Sequence, residues 1–399
     1  MIKLRDWQVN TVTKLEQLIE ELCPNGVEFK KIKDAFQRLK GTPITAGKMK
    51  EIEKPNGEIK IFAGGKTVIN ANEADIPNAK ITRVPAVLVQ SRGVIDVIYY
   101  EKPFTFKNEM WAYTTDNKTT VKYLYYVLKN NIQHFRDAAS GMGSLPQISL
   151  PVTEEFYIPI PPLPVQEEIV RILDTFTELT TELTTELTTR KQQYEHYTYQ
   201  LLNFDDTVQT HQLRELIDFR NGKGHEKDIV SDGKYIVVNS KFISTNGEVK
   251  KYSNKQTCPL FVDDILMVMS DLPNGRALAK CFLVAEDDKY TLNQRIGAFH
   301  VMDESVIKTK FLLYVLNRNQ QLLRYDNGVD QTNLRKDDIL DIMIPVPSIE
   351  EQERIVAILD RFDTLCNDIS EGLPAEIEAR QKQYEYYRDK LLTFKALSA

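Results

Sequence analysis

Apolar residues recur at i, i+3, i+4 and i+7 in two distant places: Ile169, Ile172, Leu173 and Phe176, then Ile355, Ile358, Leu359 and Phe362. That spacing predicts two amphipathic helices, each with one buried stripe. A four-residue spacing prolongs both. Leu179, Leu183 and Leu187 sit in a Thr-Glu-Leu-Thr tetrapeptide that occurs three times over residues 177–188, and Leu365, Ile369, Leu373 and Ile377 carry the second helix onward. Between these stretches the pattern changes to short apolar runs bounded by Gly and Pro, at residues 86–89, 94–100, 235–238 and 264–269. Such runs predict strands. Each strand-rich block is expected to close with one helix, around 119–136 and 306–324. The pattern therefore predicts an α+β protein, with two globular blocks separated by two long helices.

The two halves are copies. Ile158-Pro-Ile-Pro161 matches Ile344-Pro-Val-Pro347 at an offset of 186 residues. Gln166-Glu-Glu-Ile-Val-Arg-Ile-Leu-Asp-Thr-Phe176 matches Gln352-Glu-Arg-Ile-Val-Ala-Ile-Leu-Asp-Arg-Phe362 at eight of eleven positions, and residues 190–204 match 380–394 at eight of fifteen. Residues 122–131 resemble 310–319. Asn56-Gly57 and Asn246-Gly247 both stand beside strand-like residues, which reads as a recurring hairpin turn. The rest of each globular block diverges.

Prolines at 159, 161, 162 and 164, and at 345 and 347, give each helix a rigid extended lead. Threonine is a poor helix former, so the Thr-rich array needs a partner, and two copies can bury their Leu and Ile against each other as an antiparallel, coiled-coil-like pair. Residues 166–204 as one helix would span about 58 Å, comparable with roughly 17 base pairs of duplex. Gly372 and Pro374 predict a kink or short break in the second helix.

At roughly 100–200 residues per domain, 399 residues suggest two or three cores. The 42% hydrophobic and 27% charged residues fit neither a disordered nor a fibrous chain. No run approaches 18 uncharged apolar residues, and the first ten residues lack a signal-peptide core, so no membrane and a cytoplasmic location are expected. The cysteines, at 23, 258, 281 and 366, form no metal or disulfide spacing. A net charge of −6 argues against a polyanionic partner until it is resolved by segment. Residues 27–157 are then +5, residues 205–343 are −2, and the two helical arms, 158–204 and 344–399, are −4 each.

Polar and basic loops lie between the strands. The first block has Lys40, Thr42, Lys48, Lys50, Lys66, Thr67, Gln90, Ser91 and Arg92. The second has Arg220, Asn221, Lys223, His225, Asn239, Lys241, Ser270, Asn274, Arg276, Gln294 and Arg295. Arg and Lys match guanine edges, Asn and Gln match adenine, and Ser or Lys match phosphate. Any one of them alone is equally an ordinary solvated loop residue. Their clustering at strand ends makes them candidate DNA contacts.

Catalytic patterns are missing. Gly64-Gly-Lys-Thr67 lacks the first glycine of a phosphate-binding loop, because position 60 is Lys60. Glu58-Ile-Lys60 and Glu248-Val-Lys250 could pass for a nuclease Glu-x-Lys, but both sit on the recurring Asn-Gly turn. The five histidines show no metal spacing, and no metal site is expected.

The duplicated Ile-Pro-x-Pro leads, the Gln-Glu-x-Ile-Val-x-Ile-Leu-Asp-x-Phe blocks, the Tyr-Glu-x-Tyr and Leu-Leu-x-Phe blocks and the Thr-Glu-Leu-Thr array resemble the specificity subunit of type I restriction-modification systems. The resemblance implies an N-terminal frame helix within residues 1–26 (Thr11 to Leu22), target-recognition domains at 27–157 and 205–343, a central spacer arm at 158–204 and a C-terminal arm at 344–399, in pseudo-twofold arrangement. Each recognition domain would read one half of a split, asymmetric site in double-stranded DNA. The tetrapeptide array would set the spacer. Gln166, Glu167, Phe176, Leu179, Leu183, Leu187, Gln352, Glu353, Phe362, Leu365 and Ile369 would form the spacer and the docking points for two modification subunits. Those subunits would use S-adenosylmethionine to methylate adenine N6, and restriction subunits would add ATP- and Mg-dependent translocation and cleavage. This chain itself would bind no cofactor and catalyse nothing. Two other classes remain open on the residues alone: a structural adaptor that touches no DNA, and the recognition module of a single-chain nuclease or methyltransferase.

Overall fold

The computed structural model describes residues 14–140, 145–273, 275–368 and 371–397. Contacts divide the chain into two units, residues 1–185 with 375–399 and residues 186–374. Each unit thus owns one globular block, the start of the arm that leaves it and the end of the other arm.

In unit 1, β1 (Glu28–Lys31) pairs with β9 (Tyr157–Ile160). The main sheet has the order β2-β8-β5-β6, from Gln37–Lys40, Trp111–Thr114, Ala86–Gln90 and Asp96–Tyr100. A second sheet, β4-β3-β7, comes from Val68–Ala71, Ile59–Phe62 and Phe104–Phe106, with β3 and β7 parallel. β5 is buried along its whole length because both its faces are covered. Val87 and Val89 point to the core that holds Tyr113, Leu124 and, from the central helix, Ile169, Leu173 and Phe176. Ala86 and Leu88 alternate to the other side, against Phe62, Phe104 and Phe106.

Unit 2 repeats this architecture. β10 (Thr210–Gln212) pairs with β21 (Met343–Pro345), and the main sheet runs β11-β19-β15-β17 from Ile217–Asn221, Ile296–Val301, Ile265–Val268 and Cys281–Leu283. The second sheet is β12-β14-β13-β18, from Ile229–Val230, Tyr252–Ser253, Tyr235–Val238 and Tyr290–Leu292, again with one parallel pair, β13 with β18. A short ribbon joins β16 (Ser270–Asp271) to β20 (Thr332–Asn333).

The repeated residues make the same contacts in both units. Asp174 accepts from Lys122 (2.7 Å) and Tyr126 (2.5 Å), and Asp360 accepts from Lys310 (2.7 Å) and Tyr314 (2.6 Å). Burial and then the carboxylate push both phenols well above the usual tyrosine range. Gln166 donates back to the Pro161 carbonyl (2.8 Å) and Gln352 to that of Pro347 (2.9 Å), so each glutamine staples its proline lead to its helix. Phe176 stacks on Tyr387 in unit 1, and Phe362 on Tyr194 and Tyr197 in unit 2. The start of one arm meets the end of the other in each unit, as an antiparallel pair requires.

The central helix runs unbroken over Leu163–Leu202, 40 residues, threonines included. The hydroxyls of Thr175, Thr177, Thr180, Thr181, Thr184 and Thr185 each donate to the carbonyl four residues back, at 2.7–2.9 Å. The array therefore satisfies its own hydroxyls while its leucines stay half-buried. The C-terminal arm breaks where Gly372 and Pro374 predict it, into Ile349–Asn367 and Leu373–Leu391. A Cβ on Gly372 would lie 2.3 Å from the Thr364 carbonyl oxygen, so the backbone closes on itself at this break only with glycine.

Two expectations need correction. The helices closing the globular blocks are each broken: Lys118–Asn130 is followed by Ile132–Asp137, and Thr309–Leu316 by Gln320–Leu323. The Asn carboxamides at 131 and 319 bond back to the helix carbonyls of Val127 and Val315, which ends each first helix. The Asn-Gly turns are not hairpins and are not equivalent. Residues 56–57 lead from the helix Ala46–Ile52 into β3, whereas 246–247 follow the helix Ser240–Ser244, between β13 and β14. Asn246 and Gly247 have φ of 49° and 85°, the left-handed geometry that caps a helix as readily as it turns a hairpin. At the N-terminus, residues 14–22 are helical, and residues 11–13 lie outside the described residues. Just beyond, Val27 is held on both sides by the far end of the chain: its N–H donates to Lys395 and its carbonyl accepts from Leu397, both at 2.9 Å.

Candidate nucleic-acid interface

In unit 1 three loops meet at the end of β5. Gly65 N donates to Arg92 O (3.0 Å), Gln90 Nε2 to Gly65 O (2.5 Å), Gly93 N to Pro146 O (2.8 Å) and Ile148 N to Ser91 O (2.9 Å). Gly65 and Gly93 have φ of 74° and 79°, and a Cβ on Gly93 would come 3.5 Å from Gly65 Cα. The result is one platform that exposes Lys66, Thr67, Arg92 and Gln147. A cleft of about 540 Å³ adjoins it, lined by Arg38, Lys40, Lys80, Asn108, Trp111 and Gln147 among others. Lys48 and Lys50 stand apart on the outer face of the helix Ala46–Ile52, whose Met49 and Ile52 are buried, and Lys48 pairs with Glu51 at 2.8 Å.

Unit 2 builds its edge from loops 221–225, 239–241, 269–273, 275–278 and 293–295. Lys223 N donates to Leu292 O and Gln294 N to Lys223 O (3.2 and 3.1 Å), while Met269 N donates to Arg295 O (2.9 Å). A Cβ on Gly222 would fall 1.9 Å from Asn293 O, so the loops close only over glycine. The Asp271 carboxylate accepts from the N–H groups of Leu272, Ala277 and Leu278 (2.9, 2.7 and 3.1 Å) and folds the loop that exposes Arg276. Asn221, Lys223, Lys241, Gln294 and Arg295 are exposed on the same loops. Asn274 lies outside the described residues.

Seven of the expected contacts are occupied internally. Thr42 bonds Thr105 (2.7 Å) and accepts from Lys80 N, Gln90 and Ser91 bond the Gly65 and Glu109 carbonyls, and Ser270 accepts from Gln331 (2.8 Å). His225 Nδ1 donates to the Lys223 carbonyl (2.7 Å), leaving Nε2 to the Thr291 hydroxyl (2.9 Å). These five side chains are buried and fix the loops. Arg220 is tied to the buried Asp264 and to the Pro259 carbonyl, with Phe261 under its guanidinium at 5.3 Å. Asn239 caps the helix Ser240–Ser244 by accepting from Phe242 N.

The net charge of unit 2 does not show how its charges are distributed. Asp264, Asp228, Glu286 and Asp341 are each paired with a cation. Among the described residues, Lys223, Lys241, Arg276 and Arg295 take part in no ion pair, nor do Lys40, Lys66, Lys80 and Arg92 in unit 1. Lys80, Asn108, Gln147 and Asn333 are also exposed at or beside these loops, and sequence reasoning did not single them out. A signal for two of them existed: Gln147 and Asn333 stand at the same 186-residue offset as the proline leads.

On the arms, Gln166 and Gln352 are buried staples and Phe176 is buried, while Glu167 and Glu353 are exposed and Lys308 lies 3.6 Å from Glu353. Phe362, Leu179, Leu183, Leu187 and Leu365 are half-buried. Ile369 lies outside the described residues. Among the described residues no group of His, Cys, Asp or Glu could hold a metal, and no helix is long and apolar enough to cross a membrane.

Comparison with known proteins agrees with this duplicated design. The family model for the type I restriction modification DNA specificity domain matches residues 24–190 and again 205–379. The chain is 36% identical over 302 residues to the specificity subunit of the type I restriction enzyme EcoR124I/EcoR124II of Escherichia coli, covering 70% of this chain and 72% of that one. It is 32% identical over 309 residues to a putative type I restriction enzyme specificity subunit of Haemophilus influenzae, covering 73% and 77%. The crystal structure of a type I restriction-modification S subunit from M. genitalium superposes with a TM-score of 0.59 at 17% identity, over 92% of this chain and 96% of that one, which shows a shared fold. Two matches to one family model, one on each repeat, together with these relatives, place the chain in the family of type I restriction-modification DNA specificity subunits.

Proposed function

We propose that the chain reads a bipartite, asymmetric site in duplex DNA, one half through the platform and cleft of unit 1 and the other through the loop edge of unit 2. As a specificity subunit it recognises DNA with two domains and is not itself the catalyst. One observation carries the finer reading. The same main-sheet order recurs as β2-β8-β5-β6 and β11-β19-β15-β17, yet the loops at equivalent strand ends present different exposed side chains. Two different edges on one frame suit two different half-sites. The arms set the spacing between them, and the exposed Glu167 and Glu353 at the arm starts serve two modification subunits. S-adenosylmethionine, ATP and Mg belong to the modification and restriction partners.

A gel-shift assay with the co-expressed modification subunit, on duplexes carrying the host's methylated motif, tests this. Sequence-specific retardation is expected, and its absence would leave the adaptor reading. Removing one Thr-Glu-Leu-Thr unit, about 6 Å of helix, should alter the spacer and spare both half-sites. Unchanged spacing in methylome sequencing would overturn the ruler.

A further inference from the structure

Each unit carries a small two-stranded ribbon at the exposed end of its main sheet. In unit 1 residues 91–94 run against 145–148, fixed by Ile148 N to Ser91 O, the Arg92–Gln147 bridge and Gly93 N to Pro146 O. In unit 2 residues 269–272 run against 331–334, fixed by Leu334 N to Met269 O and by Ser270 and Asp271 opposite Asn333 and Thr332. The matching bonds make Ser91 equivalent to Met269, Val94 to Leu272 and Gln147 to Asn333. The sequences share almost nothing here, yet two features recur. An exposed carboxamide, Gln147 or Asn333, stands at the same ribbon position with no side-chain partner among the described residues. The tip exposes a branched aliphatic at the equivalent position, Val94 at 38% and Leu272 at 68%, and in unit 1 Leu145, across from Val94, is exposed at 52%. Isolated exposed aliphatics are ordinary; their return at one place in two diverged domains, beside the unpaired Arg92 and Arg276, is not.

A two-stranded ribbon fits the major groove, where a carboxamide matches the N6–H and N7 of adenine and an aliphatic side chain matches the thymine methyl. Resting on the specificity reading above, we propose that this ribbon is the base-reading element of each unit, that Gln147 and Asn333 each specify one adenine, and that the equivalent Val94 and Leu272 pack on a thymine methyl. The flanking arginines hold the ribbon in the groove through phosphates or guanine.

The test uses the full chain with its modification subunit and duplexes carrying the methylated motif, in which each adenine is replaced in turn by 7-deazaadenine and each thymine by uracil. With wild type, one 7-deazaadenine position in each half-site should weaken binding by roughly 5- to 150-fold. That penalty should vanish in one half-site for Gln147→Ala and in the other for Asn333→Ala. Loss of a thymine methyl should cost wild type about fourfold and Leu272→Ala nothing further. Equal analogue penalties in wild type and variants would overturn the proposal, as would a uniform loss on all sequences. So would unchanged DNA binding with loss of the co-purifying modification subunit, which would make the tip a protein contact. Unaltered thermal midpoints confirm that the variants fold. Wild type without sequence-specific retardation would sink the specificity reading itself, whereas specific binding indifferent to every analogue would sink only the ribbon.

Discussion

In unit 1 Asp174 holds Lys122 and Tyr126, and in unit 2 Asp360 holds Lys310 and Tyr314 with nearly the same distances. The loops a few strands away have diverged in sequence, length and charge, to the point that one block is +5 and the other −2. The constraint lies in the joints and not in the loops. Packing and locks fix the joint between block and arm, whereas the proposed recognition edge is a set of diverged loops on a rigid frame, carrying a few cations without an ion pair among the described residues. Net charge is a poor guide to such a surface, because it averages over the whole block and does not record where the cations without an ion pair stand.

The largest mutational effects are expected at the arm joints. Phe176→Ala should cost unit 1 about 3–5 kcal/mol, since Phe176 is 1% exposed. Phe362→Ala should cost unit 2 less, because Phe362 is only half-buried. Hydrogen exchange resolved by segment would show this, and equal loss in both units would mean that the joints are tighter twins than their burial indicates. On the recognition edge, Arg276→Ala or Arg295→Ala should weaken discrimination by about 1–3 kcal/mol at one base pair, in the unit 2 half-site only. A uniform loss across sequences would make that arginine a phosphate contact.

A smaller effect should separate the two arm starts by pH. Glu168 is buried and held by Arg171 (2.7 Å) and Lys14 (3.1 Å), and these bonds, Arg171's first, keep its carboxyl below the usual range despite burial. A depressed carboxyl adds stability above its unfolded value of about 4.3, and that contribution is lost as pH falls through the lower folded value. The repeat places Arg354 at the corresponding position of unit 2. Glu168→Gln should therefore remove part of the acid unfolding limb of unit 1, measured by thermal midpoint against pH, and leave unit 2 unchanged.

The frame was legible because the repeated residues are the ones that do the same thing twice. Glutamine staples, aspartate locks and aromatic stacks show as identities, and Gly372 with Pro374 announces the break. The recognition edges were legible only as loops. Thr42, Gln90, Ser91, His225 and Ser270 are the right residue types in the right segments, but partners 18 to 66 residues away take them into the interior. No local pattern records such partners. Gln147 and Asn333 escaped for the opposite reason: each reaches the edge through antiparallel pairing with a distant strand end. The Asn-Gly turns misled because one backbone geometry serves both hairpins and helix caps.

The clasp of Val27 between Lys395 and Leu397 has a consequence for how the molecule comes into being. Unit 2 is one continuous stretch of chain and needs nothing beyond residue 374 to complete itself. Unit 1 does: its sheets are made early, but Phe176 must wait for Tyr387 and Val27 for Lys395. During vectorial synthesis, where earlier segments ordinarily fold first, the half that is made first is therefore the half that is finished last.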